Sequence, residues 1–319
     1  MRGGDRLHCT EYSISPRTPF TASFESVVTK ENLYRAWNDF VRGKRHRQDV
    51  NAFALHLSDN LYDLYVELVS QKYVHGTYEE YTVYDPKKRV IHKASVRDRV
   101  VHRLLYNSLY PHFDKRFIHD SYSCRVGKGT HKARDRFRRF ANQVSRNYTR
   151  PCSVLKFDIK KCFESINQEI LKRLMREYIE DEHLNRLIEV VIDSFGKGLP
   201  LGNLTSQLFV NVYLHELDHY AKQTLKIPHY IRYADDVLVV HESSEFLREV
   251  FTEIDRFLST LLLLHTHKTR IQSLYSGVDV LGEVFFEKYK RLRRSTERRE
   301  KRRQLLIKKA CQNPSILVN

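Results

Sequence analysis

Asp235 and Asp236 are adjacent within Tyr233-Ala234-Asp235-Asp236, where two β-rich runs meet at a tight turn. Like charges a few ångströms apart raise one another's pKa and strain the site. A divalent cation offsets that cost. Mg²⁺ favours one or two carboxylates plus substrate phosphates, which leaves room for a nucleotide. Ordinary turn chemistry is the competing explanation, since Asp favours turns. Asp158 adds a carboxylate at the end of the β run VLKFD, ahead of a helix. Strand-end carboxylates in a sheet flanked by helices tend to face a shared cleft. Asp158, Asp235 and Asp236 together would form a two-metal clamp for an attacking 3′-oxygen and a leaving pyrophosphate. Taken singly, Asp158 also fits a helix N-cap. Phe163, five residues on, either packs against a nucleotide sugar and leaves no space for a 2′-hydroxyl, or is a core aromatic.

Other signals are less specific. GKGLPLGN, ahead of Thr205, Ser206 and Gln207, and RVGKGT at 125–130 let backbone approach a ligand closely, but neither has P-loop spacing. Both read best as plain turns. His215-Glu216-Leu217-Asp218-His219 matches the His-Glu-x-x-His pattern of zinc hydrolases, without an obvious third ligand. The flank of an amphipathic helix explains it equally. KARDRFRRF interleaves aromatics with cations, and its Arg134 and Arg138 are candidate phosphate contacts. Residues 288–309 hold twelve Lys or Arg against two Glu. Such a run repels itself unless a polyanion lies alongside. Arg293, Arg294, Arg298 and Arg302 are its candidate nucleic-acid contacts.

These residues need a scaffold. Apolar periodicity predicts two helices over 30–70, with Phe53, Leu57, Leu61, Leu64 and Leu68 on one face of the second. A hairpin follows, with Asp85-Pro86 at its turn. A helix over 96–118, a strand over 153–159, and a helix through FESINQEILKRLMREY come next. A long helix over 205–222, the β-turn-β around the paired aspartates, and a basic C-terminal helix complete the pattern. Residues 1–28 show no period and read as a loose leader without the apolar core of a secretory signal. The 319 residues suffice for a full hydrophobic core. Lys and Arg number 55 against 39 Asp and Glu, a net charge of +16 with pI about 9.6, which predicts a polyanionic partner. Five cysteines without a Cys-x-x-Cys pair fit neither a disulfide framework nor a zinc cluster, and point to a reducing cytoplasm. No run approaches the 18 apolar residues of a membrane span.

In order and spacing, FDIKKCFESI, GLPLGNLTSQ, YADD, the following helix with Lys268, and VDVLGE resemble the reverse transcriptase family over about residues 30–290. The resemblance implies an α+β right-hand polymerase fold. Its parts would be fingers with N-terminal helices over 29–150, palm over 151–286 with a motif-bearing insert at 195–222, and a basic thumb, short or incomplete, over 287–319. It implies RNA-directed DNA synthesis with two Mg²⁺ ions, Mn²⁺ being an alternative. Asp158, Asp235, Asp236 and the carbonyl of Ile159 would be the metal ligands. Phe163 would be the gate against ribonucleotides. Arg125 would contact the triphosphate, Lys93 and Arg99 would be nucleotide-binding residues of the neighbouring fingers motif, and Lys268 would lie near the leaving phosphates. Gly202 and Gln207 would lie beside the nucleobase and template, and Leu281 and Gly282 would grip the primer.

Within the family the chain is most similar to the enzymes of diversity-generating retroelements. Many relatives carry Gln-Gly-x-x-x-Ser-Pro where this chain has Leu201-Gly202-x-x-x-Ser206-Gln207, and RGKRHRQDVNAF is a further likeness. That similarity implies errors at template adenines, a structured template RNA, and a small basic helical accessory protein that is itself a candidate oligomer. It also implies a cytoplasmic enzyme of prokaryotic, phage or mobile-element origin. The alternatives are a group II intron-like or antiviral-defence reverse transcriptase, and a non-catalytic RNA-binding scaffold.

Overall fold

The computed structural model describes residues 18–84 and 88–312. In chain order the elements are α1 (Phe24–Val27), α2 (Lys30–Val41), α3 (Gln48–Leu55), α4 (Leu57–Val69), β1 (Glu79–Tyr84), β2 (Lys88–Lys93), α5 (Val96–Asp114) and α6 (Thr130–Val144). There follow β3 (Ser153–Ile159), α7 (Cys162–Ser165), α8 (Gln168–Tyr178), α9 (Glu182–Asp193) and α10 (Leu204–His219). The remainder is β4 (Tyr230–Tyr233), β5 (Asp236–His241), α11 (Ser244–Leu261), β6 (Thr266–Ser273), β7 (Val278–Val280), β8 (Glu283–Phe285), β9 (Lys290–Leu292) and α12 (Arg294–Gln312). The mixture of helices and antiparallel strands is the α+β class expected. The chain forms two compact units. Of the described residues, one comprises those up to Glu79 with Lys93–His112 and Gln168–Phe195; the other comprises those of Glu80–His92, Phe113–Asn167 and those from Gly196 on.

The first unit is helical. Thr29 caps α2 by accepting from the Asn32 amide, and α2 buries Leu33, Trp37 and Phe40. Trp37 stacks on Phe53 of α3 at 5.2 Å. Two helices were expected over 30–70 and three form, because His56 leaves helical geometry (φ −120°, ψ 42°) and separates α3 from α4. The loose leader ends earlier than expected. Phe20 and Phe24 are buried, the Phe20 amide donates to the Tyr178 carbonyl at 2.7 Å, and the Phe24 amide donates to Asp181 at 2.9 Å. Asp181 also caps α9 through the Leu184 amide. Burial of two aromatics outweighs the ordering of a few leader residues. Residues 1–17 and the Asp85-Pro86 turn lie outside the described residues.

The second unit is built on a four-stranded antiparallel sheet in the order β4-β5-β3-β6. Val154, Leu155, Phe157 and Ile159 of β3 are buried. Phe137, Phe140 and Ala141 of α6 join Val154, Ile231 and Val240 in a core cluster that reaches Val278 and Phe285. Helix α11 is capped by Ser243 and buries Leu247, Ile254 and Leu258. Helix α10 is apolar nearly all round and buried, and continues as a π-helical turn over Tyr220–Thr224. The helix expected through FESINQEILKRLMREY breaks after Ser165, where Ile166 turns extended (φ −57°, ψ 125°) and is buried. A second sheet, β7-β8-β9, lies ahead of α12. No helix among the described residues is long and apolar enough to cross a membrane.

Candidate active site

Strands β3 and β5 pair antiparallel with Asp158 directly opposite Asp236. Tyr233 pairs with Asp236 across the β4–β5 hairpin, leaving Ala234 and Asp235 as a two-residue loop. Asp158 and the adjacent pair Asp235-Asp236, far apart in sequence, therefore share one end of the sheet. Ala234 sits at φ 53°, a left-handed conformation that costs a non-glycine residue roughly 1–2 kcal/mol. Two hydrogen bonds hold the loop there. The Ile159 amide donates to the Asp235 carbonyl at 3.1 Å, and Arg232 Nη1 donates to the Ala234 carbonyl at 3.2 Å.

Arg232 was not anticipated. It is wholly buried, and its fork grips Asp218 on α10 at 2.8 and 2.7 Å. Asn211 and Ser121 accept further bonds at 3.0 and 3.1 Å, and the Tyr230 hydroxyl donates to Asp218. A buried ion pair is tolerable when its remaining donors and lone pairs are satisfied in this way. The one sequence clue is a charged residue facing inward on an otherwise apolar strand. Asp218 also explains the His-Glu-x-x-His match. His215 and His219 pack edge to face at 4.1 Å, while Asp218 between them serves Arg232. Among the described residues no group of three or more His, Cys, Asp or Glu side chains is already arranged to hold a metal ion, neither around His215 and His219 nor at Asp158, Asp235 and Asp236.

The carboxylates are electrostatically tense. Burial pushes the Asp236 carboxyl above the ordinary range; Lys156 opposes this, and Asp235, Asp158 and Asp279 reinforce it. Asp158 Oδ1 is buried with no hydrogen-bond partner. Neighbouring like charges and an orphaned buried oxygen fit a divalent cation, which Mg²⁺ satisfies with few protein ligands plus substrate phosphates. Asp158 is not an N-cap, since Lys161 holds that position on α7. Lys156 donates to the Asp279 carbonyl at 2.8 Å, tying β3 to β7.

Phe163 is half-buried on α7 and does not belong to the hydrophobic core. The GKGLPLGN turn seats it. A Cβ on Gly198 would lie 2.4 Å from the Phe163 carbonyl oxygen, and the Leu199 amide donates to that oxygen at 2.8 Å. Gly202 approaches β2, where a Cβ would lie 2.7 Å from Ile91, and the His92 amide donates to the Leu201 carbonyl. Gln207 is half-buried on α10, beside buried Ser206. Lys268 is not on the helix after the paired aspartates, as expected, because α11 ends at Leu261; it is exposed on strand β6 near the irregularity that sets His267 opposite Asp158. Leu281 and Gly282, at φ 49° and 94°, form the two-residue turn between β7 and β8.

Several cations expected on nucleotide or nucleic acid are engaged within the protein. Arg125 binds Asp114 at 2.7 Å and donates to the carbonyls of Ile118, Ser121 and Asp114, bracing the loop that carries it. Arg134 pairs with Glu283 at 2.7 Å, and Arg293 donates to Asp279 at 2.5 Å. In the first unit, Lys93 and Arg99 share Asp49 at 3.1 and 2.5 Å. Arg138, Arg294, Arg298 and Arg302 are exposed.

A family model described as reverse transcriptase (RNA-dependent DNA polymerase) matches residues 84–285. An uncharacterised 91 kDa protein in the cob intron of Schizosaccharomyces pombe is 27% identical over 143 residues, covering 42% of this chain and 17% of that protein. Protein YkfC of Escherichia coli is 24% identical over 258 residues, covering 66% of this chain and 67% of its own length. Among solved structures, apo telomerase from Candida tropicalis superposes with a TM-score of 0.52 at 14% identity, over 70% of this chain and 49% of that one. That likeness concerns fold alone. The chain spans about half of the telomerase chain and about a sixth of the fission-yeast protein.

Proposed function

Because the chain belongs to the reverse transcriptase family, we propose that it builds DNA on an RNA template from deoxynucleoside triphosphates. The observation that carries this is the cross-strand pair Asp158 and Asp236, with Asp235 on the adjoining turn. These three carboxylates and the Ile159 carbonyl are the groups that would hold two Mg²⁺ ions. Bound there, the metals would activate the primer 3′-hydroxyl and neutralise the leaving pyrophosphate. The chain's own side chains do the rest. Phe163 excludes a 2′-hydroxyl, Lys268 lies toward the leaving phosphates, Gly202 and Gln207 border the base pair, and the Leu281-Gly282 turn steadies the primer strand. Arg125 would bind a triphosphate only by exchanging its present carboxylate partner, and Lys93 and Arg99 are likewise paired with Asp49 within their own unit. Primer extension on a heteropolymeric RNA template with Mg²⁺ tests the assignment. DNA is expected from the native chain and none from Asp158→Ala, Asp235→Ala or Asp236→Ala. Retained RNA binding with no synthesis by the native chain would favour a non-catalytic scaffold.

The finer assignment is to a diversity-generating retroelement, with errors opposite template adenines and a small basic helical partner protein. Gln207, in place of the proline many relatives carry, supports it by altering the helix start beside the template base. Sequenced products rich in errors opposite adenine, and corrected in Gln207→Pro, are the expected result. Accurate copying would move the chain to an intron-type enzyme, a second reading favoured by its likeness to a protein in the cob intron.

A further inference from the structure

Helix α6 and the β8–β9 turn enclose a cavity of about 260 Å³. Phe137, Ala141 and Leu274 form its buried floor, and Arg138, Tyr148 and Tyr289 stand among its walls. One wall is a rigid aromatic pair. Phe286 and Tyr289 stack at 4.6 Å with planes 13° apart, and the Phe286 amide donates to the Tyr289 carbonyl at 2.9 Å. Gly277 makes room for this. A Cβ there would lie 2.5 Å from the Phe286 ring. The Arg291 guanidinium also lies over the Phe286 ring, 5.2 Å from its centroid, a cation–π contact. Yet Tyr289 is 61% exposed, so the outer part of the platform is open to solvent.

The surrounding charge selects an occupant. Among the described residues Arg138, Lys288 and Arg291 have no carboxylate partner, while Lys290 pairs with Glu283 at 2.9 Å. Glu287 is the one acid in the lining. Exposed rings flanked by unpaired cations suit an anion with a planar face, and a nucleotide has both. The cavity is smaller than the ~300 Å³ at which drug-sized sites begin, which suits a single base rather than a cofactor or a helix. We infer that Tyr289 and this cavity hold one unpaired nucleotide of the template RNA, its base on the Tyr289 ring and its phosphates on Arg138 and Lys288. The choice of RNA rests on the polymerase assignment. A pre-stacked tyrosine gives up little conformational freedom on binding, which favours a contact made and released at each step of strand movement.

The test is fluorescence anisotropy of the full chain with a labelled, unstructured single-stranded RNA in EDTA, so that metal-dependent catalysis does not enter. Tyr289→Ala is expected to weaken binding about tenfold and Tyr289→Phe to restore it, since stacking needs the ring and not the hydroxyl. Photo-crosslinking of 4-thiouridine RNA should mark Tyr289 or its neighbours. Unchanged affinity in Tyr289→Ala would overturn the inference. An effect on single-stranded DNA but not RNA would overturn the assignment to the template. If the native chain makes no DNA with Mg²⁺ but RNA binding still needs Tyr289, the polymerase assignment fails and the platform stands. If the native chain makes DNA and its RNA binding is independent of Tyr289, the platform fails and the polymerase assignment stands.

Discussion

The Arg232 guanidinium touches Asp218, Asn211, Ser121 and the carbonyl of Ala234, so it joins the β4–β5 turn that carries Asp235 to α10. It touches no reacting group and acts through the turn. Replacing it by Met strands a buried carboxylate, a change that costs about 3–5 kcal/mol. Arg232→Met is therefore expected to lower the stability of the second unit in urea by that amount. Adding Asp218→Leu removes the stranded charge and should recover much of the stability. It should not recover DNA synthesis, because the Ala234 carbonyl still lacks its donor and the turn's left-handed residue is held by one bond fewer. A double variant as fast as the native chain would show the pair to be structural only.

At the level of elements, the glycine turn before α10 decides where α7 sits. Gly198 lies at φ 67° with the Phe163 and Glu164 carbonyls where its Cβ would be. Gly198→Ala must strain the turn or push α7 away, costing more than about 1 kcal/mol. If Phe163 guards the sugar, the displacement loosens that guard. Ribonucleotide incorporation is then expected to rise in Gly198→Ala, and to rise further, by about 10- to 100-fold, in Phe163→Ala. Comparing ribo- and deoxynucleotide kcat/KM in both variants checks this. No rise in Phe163→Ala would remove the residue from the sugar pocket.

For the molecule as a whole, charge and pH set the working range. A net charge of +16 predicts that RNA affinity falls linearly in log–log form as salt rises, and a flat response would remove phosphate contacts as the basis of binding. Stability should fall in acid for an identifiable reason. Burial drives the His102 pKa from 6.5 down to about 3, helped by neighbouring His75, so the folded chain keeps this ring neutral. Below pH 6.5 the unfolded chain takes up a proton that the folded chain refuses. The His102 contribution to stability is thus intact above pH 6.5 and is lost toward pH 3, at about 1.4 kcal/mol per unit. Urea unfolding of the first unit at pH 7 and pH 5 should differ by about 2 kcal/mol from this source. His102→Gln should flatten the difference.

The sequence alone determined the short-range facts. Alternation on SVLKFDI and the β-turn-β of IRYADDVLVV placed Asp158 at a strand end and Asp235-Asp236 at a turn, because strand period and turn chemistry are local. The order of motifs identified the family for the same reason, being written along the chain. Helix ends such as His56 and Ile166 were less legible, since packing overrode a continuous apolar period. Only the tertiary structure decided which carboxylates face each other, through the register of β3 on β5. It also decided which cations are spent. Arg125, Arg134 and Arg293 look like free basic residues in a string of letters, and each proves to be held by a carboxylate that the fold brings alongside it. Arg232 and Tyr289 are the converse, because a buried cation and an open aromatic platform are defined by what surrounds them, which no local pattern records.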